Sequence, residues 1–161
     1  MKTALFPGSF DPLHNGHLEI IEIAAATFDQ VVVAPMRNSR KGLALFSVEE
    51  RGEMIGEAVV HLANVSVAVE AALVVDVARR VGADVIVKGL RVASDFEHEL
   101  QMAQMNKTIS GISTVFLPCA STSSFIASSL IREIVSLGGA ERVASMVPAA
   151  VAKRLDEKYR S

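Results

Sequence analysis

The reading of the fold turns on "PGSFDPLHNGH", residues 7–17. The segment follows a short apolar run, "TALF" (3–6), expected as a first strand. From Gly16 onward the pattern becomes helical, with Leu18, Ile21, Ala25 and Phe28 at three- and four-residue spacing. A strand, a polar turn and a helix start therefore meet here. A helix start presents unpaired N–H groups and partial positive charge, and so favours an anion. Gly8 and Gly16 allow close backbone approach to a ligand. His14 and His17 lie one turn apart at that start, where imidazole N–H groups suit phosphate oxygens. The stretch has neither the G-x-G-x-x-G of dinucleotide binders nor the G-x-x-x-x-G-K-[ST] of P-loops. A different phosphate chemistry is implied.

Outward from this segment, strands and helices alternate. "QVVVAP" (30–35) has β-branched residues on consecutive positions, as in a strand buried on both faces. A basic loop, "MRNSRKGLALF" (36–46), follows. Ser47 and Glu50 form a capping-box signature opening a helix over roughly 48–61. "NVSVAVE" (64–70) reads as a strand, "LVVDVARRV" (73–81) as a helix closed by Gly82, and "DVIVKG" (84–89) as a buried strand. Ser94 and Glu97 form a second capping box, opening a long helix to about Ile109. "STVFLP" (113–118) is the fifth strand, "ASTSS" (120–124) a loop, and "ASSLIREIVSL" (127–137) a helix ended by Gly138 and Gly139. Pro148 suits the first position of a last helix, reaching about Tyr159.

This alternation predicts an α/β fold: a Rossmann-like open parallel five-stranded sheet with helices on both faces, as one domain over residues 1–161. Ligands of such sheets bind outside the carboxyl ends of the strands, near a switch in strand order. The segments to inspect are 7–17, 36–46, 70–74, 88–95 and 118–129.

Composition narrows the function classes. Half of the 161 residues are hydrophobic, which is enough for a sizeable core. Sixteen basic residues against 18 acidic ones leave a net charge of −2, with no bulk affinity for nucleic acid or anionic membrane. Any phosphate binding must be local. Cys119 is the only cysteine, so no intrachain disulfide forms, which fits a reducing compartment. It reads as a small buried hydrophobe. Lys2 and a four-residue apolar patch are too short for a signal peptide, and no run reaches the length of a membrane span. The expectation is a cytoplasmic protein.

Three further groups carry candidate chemistry. Lys88 and Arg91 flank Gly89 at a strand end in "VKGLR" (87–91), where two cations suit phosphates. In "SDFEHEL" (94–100), Glu97 fills a capping role and Glu99 could bond a ribose or base, although alone it would more often be helix surface. Ser128 and Ser129 open another helix on the same edge, which is ordinary capping as well as an anion site. Lys41 adds charge to the loop after the second strand, Met102 and Met105 read first as packing, and His61 and His98 as helix surface. Asp11, His14 and His17 offer zinc-type ligands, but no further His or Cys cluster completes a metal site.

Taken together, these residues resemble the H-x-G-H nucleotidyltransferase superfamily, read here as His14-Asn15-Gly16-His17. The partner motif I-S-S-[ST]-x-x-[RK] reads Ile126-Ala127-Ser128-Ser129-Leu130-Ile131-Arg132. Within the superfamily, "PGSFDPLHNGH", "FSVEER", "VKGLR", "DFEHELQMAQMN" and "SFIASSL" resemble, in order, the blocks of the bacterial phosphopantetheine adenylyltransferase family. That resemblance implies adenylyl transfer from ATP to 4′-phosphopantetheine, giving dephospho-coenzyme A and pyrophosphate with Mg²⁺. It implies transition-state stabilisation by His17 and bridging of the reacting phosphates by Lys41. Ser9, Phe10, His14, His17, Gly89, Leu90, Arg91, Glu99, Ser123, Ser124, Phe125, Ile126, Ala127, Ser128 and Ser129 would hold ATP. Ser9, Lys41, Val74, Lys88, Met105 and Asn106 would meet the phosphopantetheine. No protein side chain is implied as a metal ligand, because Mg²⁺ would sit among ATP oxygens and water. A homohexamer and feedback inhibition by coenzyme A are family implications too. Ala127 departs from the usual serine, Ser123 stands where an aromatic often precedes the S-F block, and the loop from Lys41 to Phe46 is one residue longer than usual. The rival readings are a superfamily enzyme acting on nicotinamide mononucleotide or a sugar-alcohol phosphate, an ATP-binding sensor without turnover, and a metal-dependent hydrolase built on Asp11, His14 and His17.

Overall fold

In the computed structural model, which describes residues 1–37, 42 and 44–160, the chain alternates strand and helix from its start. The order is β1 (Thr3–Gly8), α1 (Asn15–Thr27), β2 (Gln30–Pro35), α2 (Val48–Ala58), β3 (Val65–Val67), α3 (Val74–Arg80), β4 (Val85–Leu90), α4 (Ala93–Ser110), β5 (Ser113–Pro118) and α5 (Ser128–Gly138). A 3-10 helix (Ala140–Met146) and α6 (Ala149–Arg160) complete it. The strands form one all-parallel five-stranded sheet in the order β3-β2-β1-β4-β5. This is the Rossmann-like arrangement expected from the alternation.

Both faces of the sheet are covered, which is why its strands read as consecutive apolar residues. Successive side chains point to opposite faces. Ala4, Phe6, Val31 and Val33 join Ile20, Ile21, Met54, Ile55, Ile131 and Leu155 in the larger core. Leu5, Ala34 and Ile86 join Val77 and Ala78 of α3 in a smaller core on the other face.

The order reverses between β1 and β4. β1 pairs with β2 over six positions, from Thr3 with Gln30 to Gly8 with Pro35. It pairs with β4 only at Ala4 with Val85 and Leu5 with Ile86. Beyond those two positions the strands part, and a crevice opens at their carboxyl ends. In open α/β sheets that crevice is where ligands bind.

Local signals hold in some places and yield in others. Ser47 caps α2 as expected, its Oγ accepting from the Glu50 N–H while the Glu50 carboxylate accepts from the Ser47 N–H. The second expected capping box does not form. β4 runs to Leu90, so only Arg91 and Val92 separate it from α4, and Val92 takes the cap position. Ser94 then lies inside the first turn, where Asp95 pairs with Arg91 at 3.3 Å. β3 is shorter than the alternation in 64–70 suggests, its register with β2 ending at Val67. Pro148 sits just before α6 rather than inside it.

These two serines give a direct test. Ser47→Ala is expected to lower stability by about 1 kcal/mol, the usual worth of an N-cap. Ser94→Ala, which removes no cap, is expected to cost less than about 0.5 kcal/mol. Urea unfolding of both variants checks this, and equal losses would contradict the assignment of α4's start.

Candidate active site

The loop from β1 to α1 is organised by its two histidines. His14 is the N-cap of α1, and its Nδ1 accepts from the Gly16 N–H at 3.0 Å and the His17 N–H at 3.3 Å. In return the His14 N–H donates to Nδ1 of His17 at 3.2 Å. The two histidines thus form a reciprocal capping box, the role usually taken by Ser and Glu. Their rings stack with centroids 3.6 Å apart. Phe10 packs edge-on to His17 at 5.0 Å and to Phe6 at 5.3 Å, holding the stack from below.

This geometry fixes the tautomers. A nitrogen that accepts carries no proton, so each neutral ring bears its proton on Nε2. His14 is 2 % exposed. Burial, reinforced by the charge of Arg91, pushes its pKa down from 6.5 to about 4. His14 spends Nδ1 on the helix start and stays neutral, which orders the loop and leaves Nε2 as the ring's one remaining polar atom.

Close approach explains the glycines. A Cβ on Gly16 would stand 2.9 Å from Cε1 of His14 and 3.3 Å from the Ser123 carbonyl oxygen. One on Gly8 would stand 2.8 Å from the Phe10 ring. Phe10 itself adopts φ 48°, a left-handed conformation uncommon for a side-chain-bearing residue.

A cavity of about 350 Å³ opens above this floor. Of the candidate residues, Ser9, Phe10, His14, His17, Lys88, Gly89, Arg91, Glu99, Ala127, Ser128 and Ser129 line it. So do Ser94, Asp95, His98, Cys119 and Arg132. His98, read as helix surface, shares the cavity-facing side of α4 with Asp95 and Glu99. Leu90, Ser123, Ser124, Phe125, Ile126, Val74, Met105 and Asn106 lie outside the lining. Of these, Val74 packs against the smaller core, Ile126 is buried, and Phe125 and Met105 are exposed. Lys41 lies outside the described residues.

The cations of the cavity are held by acids and carbonyls. Lys88 pairs with Glu99 at 3.4 Å. Arg91 pairs with Asp95 and also donates to the Ile126 carbonyl at 2.8 Å, which ties β4 to the segment before α5. The Glu19 carboxylate accepts from the Ala120 N–H at 2.9 Å and brings the loop after β5 to α1. Ser128 donates its hydroxyl to the Pro12 carbonyl at 2.8 Å. Its contribution to an anion at the α5 start is therefore its N–H rather than its O–H. Ala127, as N-cap, has no side-chain oxygen to compete for those N–H groups.

The side chains of the alternative metal site, Asp11, His14 and His17, are already engaged in these and further hydrogen bonds. The two Asp11 oxygens accept from the Leu45 and Phe46 N–H groups, each at 2.9 Å. Among the described residues no group of three or more His, Cys, Asp or Glu side chains could hold a metal ion. Cys119, expected as a buried hydrophobe, is instead half-buried at the cavity wall, where burial and the nearby Glu19 carboxylate push its thiol up and keep it protonated.

Sequence reasoning missed Arg51 and Glu19, and gave Asp11 and Arg132 no structural role. Arg51 left one signal: it stands in the apolar stripe of α2 with Met54 and Ile55, where a charged residue needs a reason to be buried.

The depressed His14 pKa has a consequence for stability. Between about 4 and 6.5 the unfolded chain binds the proton that folded His14 refuses, so stability falls as pH falls through that window. The contribution at pH 5 is on the order of 2 kcal/mol. His14→Asn keeps a capping oxygen and removes the titration. Denaturant midpoints at pH 7 and pH 5 are expected to show a smaller acid loss in the variant, and an equal loss would contradict the assignment.

Residues 5–134 match the family model described as cytidylyltransferase-like. The chain is 52% identical over 157 residues to a Gloeobacter violaceus protein named phosphopantetheine adenylyltransferase, covering 97% of this chain and 96% of that one. Among solved structures, one described as a nicotinate-nucleotide adenylyltransferase from Vibrio parahaemolyticus superposes with a TM-score of 0.66 at 18% identity, covering 96% of this chain and 99% of the other. The lipopolysaccharide core biosynthesis protein of Thermoplasma volcanium superposes with a TM-score of 0.56 at 20% identity, over 74% of this chain and 97% of the other. At such identities the two structures show the fold alone. The sequence match is of a different order, and with it the chain belongs to the phosphopantetheine adenylyltransferase family of nucleotidyltransferase enzymes.

Proposed function

We propose that this chain transfers the adenylyl group of ATP to 4′-phosphopantetheine, releasing pyrophosphate and forming dephospho-coenzyme A. The observation that carries the reading is the reciprocal histidine cap. It presents Nε2–H of His17 in a cavity that also holds Lys88, Arg91 and the start of α5.

The nucleophile needs no general base. A phosphate monoester has a second pKa near ~6 and is mostly ionised at neutral pH. The barrier is the approach of one anion to another, so catalysis rests on positioning and charge stabilisation. A phosphate oxygen of phosphopantetheine attacks the α-phosphorus of ATP in line. The new P–O bond forms as the bond to the bridging α,β-oxygen breaks, and that electron pair leaves with pyrophosphate. His17 donates Nε2–H to the α-phosphate as charge builds there. Lys88 and Arg91 offset the negative charge of the two substrates. The N–H groups at Ser128 and Ser129 receive the leaving pyrophosphate. Lys41 is proposed to bridge the incoming phosphate and the α-phosphate.

Mg²⁺ is proposed to enter with ATP. Asp95 and Glu99, the cavity's carboxylates, each face a cation, so these residues do not build a Mg²⁺ cage and no step is routed through the ion.

On this reading residues 1–161 act as one nucleotidyltransferase domain in the cytoplasm, as a homohexamer inhibited by coenzyme A. Among the described residues no helix is long and apolar enough to cross a membrane. Assembly is supported by α4, none of whose side chains is buried although Phe96, Leu100, Met102, Met105 and Ile109 are apolar.

The deciding experiment is pyrophosphate release with Mg-ATP and either 4′-phosphopantetheine or nicotinamide mononucleotide. Release with phosphopantetheine alone is expected. Release with the mononucleotide alone keeps the chemistry and overturns the substrate, while ATP binding without release favours a sensor. His17→Ala is expected to lower turnover at least ~100-fold with little change in either substrate's affinity. Near-normal turnover would remove His17 from the mechanism.

A further inference from the structure

Arg51 lies on α2 outside the cavity lining, yet it is only 3 % exposed. Its acceptors are backbone carbonyls from three separate segments. Nε donates to Phe46 and to Ser47, each at 3.2 Å. One terminal nitrogen donates to Ser9 at 2.5 Å and to Met36 at 2.9 Å. Ser9 lies in the turn after β1, Met36 follows β2, and Phe46 and Ser47 lead into α2. The guanidinium therefore fastens the cavity turn to both roots of the 36–46 loop.

Asp11 complements it. While Arg51 takes the Phe46 carbonyl, Asp11 takes the Leu45 and Phe46 N–H groups. The Met36 N–H also donates to the Gly8 carbonyl at 2.7 Å. By contrast, the segments at 89–91 and 123–129 receive no bond from Arg51. Arg91 ties the two together through the Ile126 carbonyl, and Glu19 holds Ala120 ahead of the second segment.

We infer that Arg51 is a positioning residue for adenylyl transfer, acting through Ser9 and the loop roots, where the incoming phosphate is expected to meet the α-phosphate, and making no bond to the 89–91 and 123–129 segments expected to hold the rest of ATP. The inference rests on the proposed reaction. A planar fork with fixed donors can hold several carbonyls at set distances, whereas a lysine ammonium is a single flexible point. Loosening Ser9 by a fraction of an ångström misaligns in-line attack, and misplacement of about 1 Å can cost on the order of 100-fold in rate.

The test compares wild type, Arg51→Lys and Arg51→Met, with kcat and both KM values taken per active site and ATP affinity by calorimetry. The expected result for Arg51→Lys is a fall in kcat of at least ~10-fold, a raised KM for 4′-phosphopantetheine, and ATP affinity within about twofold of wild type. If lysine retains full kinetics, Arg51→Met must show the same split. No split in either variant, or equal loss of kcat and ATP affinity tracking the folded fraction, overturns the positioning role while wild-type turnover stands. A wild type silent with both acceptors overturns the proposed reaction and this role with it.

Discussion

The site depends on two hydrogen bonds that run in opposite directions between His14 and His17. One residue's ring caps the helix that carries the other, and the other's ring receives the first residue's N–H. The exchange sets helix start, ring stacking and tautomer together. It also constrains the surroundings. Gly16 must lack a side chain for the cap ring to close over it, and Phe10 must take an unfavourable backbone conformation to support the stack.

Around this pair the cavity is cationic but compensated. Lys88 and Arg91 each face a carboxylate of α4, and Arg91 is steadied by a carbonyl from the α5 side. Cations held in place before a ligand arrives need little reorganisation when an anion replaces water, which is the physical content of preorganised charge stabilisation. The neutral His14 belongs to the same balance: near Arg91, a second charge in a buried position would cost far more than it contributed.

Much of this was legible in the chain. Five apolar runs separated by helical periodicity specified the sheet, and the position of the histidine segment after the first strand placed the site at the strand ends. The Ser47–Glu50 box read correctly because both its bonds are local. The Ser94–Glu97 box misread because tertiary structure, the length of β4, decides where α4 begins. The separate roles of His14 and His17 came with the family resemblance and not from spacing, which brings both to one helix turn; which ring is buried follows from packing by Phe10 and Gly16. Arg51 and Glu19 escaped for a related reason: their most distant partners, Ser9 and Ala120, lie 42 and 101 residues away and are backbone groups without a sequence signature.

The most direct measurement is ¹⁵N NMR of histidine-labelled protein, following the ring nitrogens of His14 and His17 across pH. Both rings are predicted to carry the proton on Nε2 and an unprotonated, hydrogen-bonded Nδ1 at neutral pH. His14 is predicted to resist protonation until the pH nears about 4. A proton on Nδ1 of either ring, or titration of His14 near its ordinary value, would contradict the reciprocal cap.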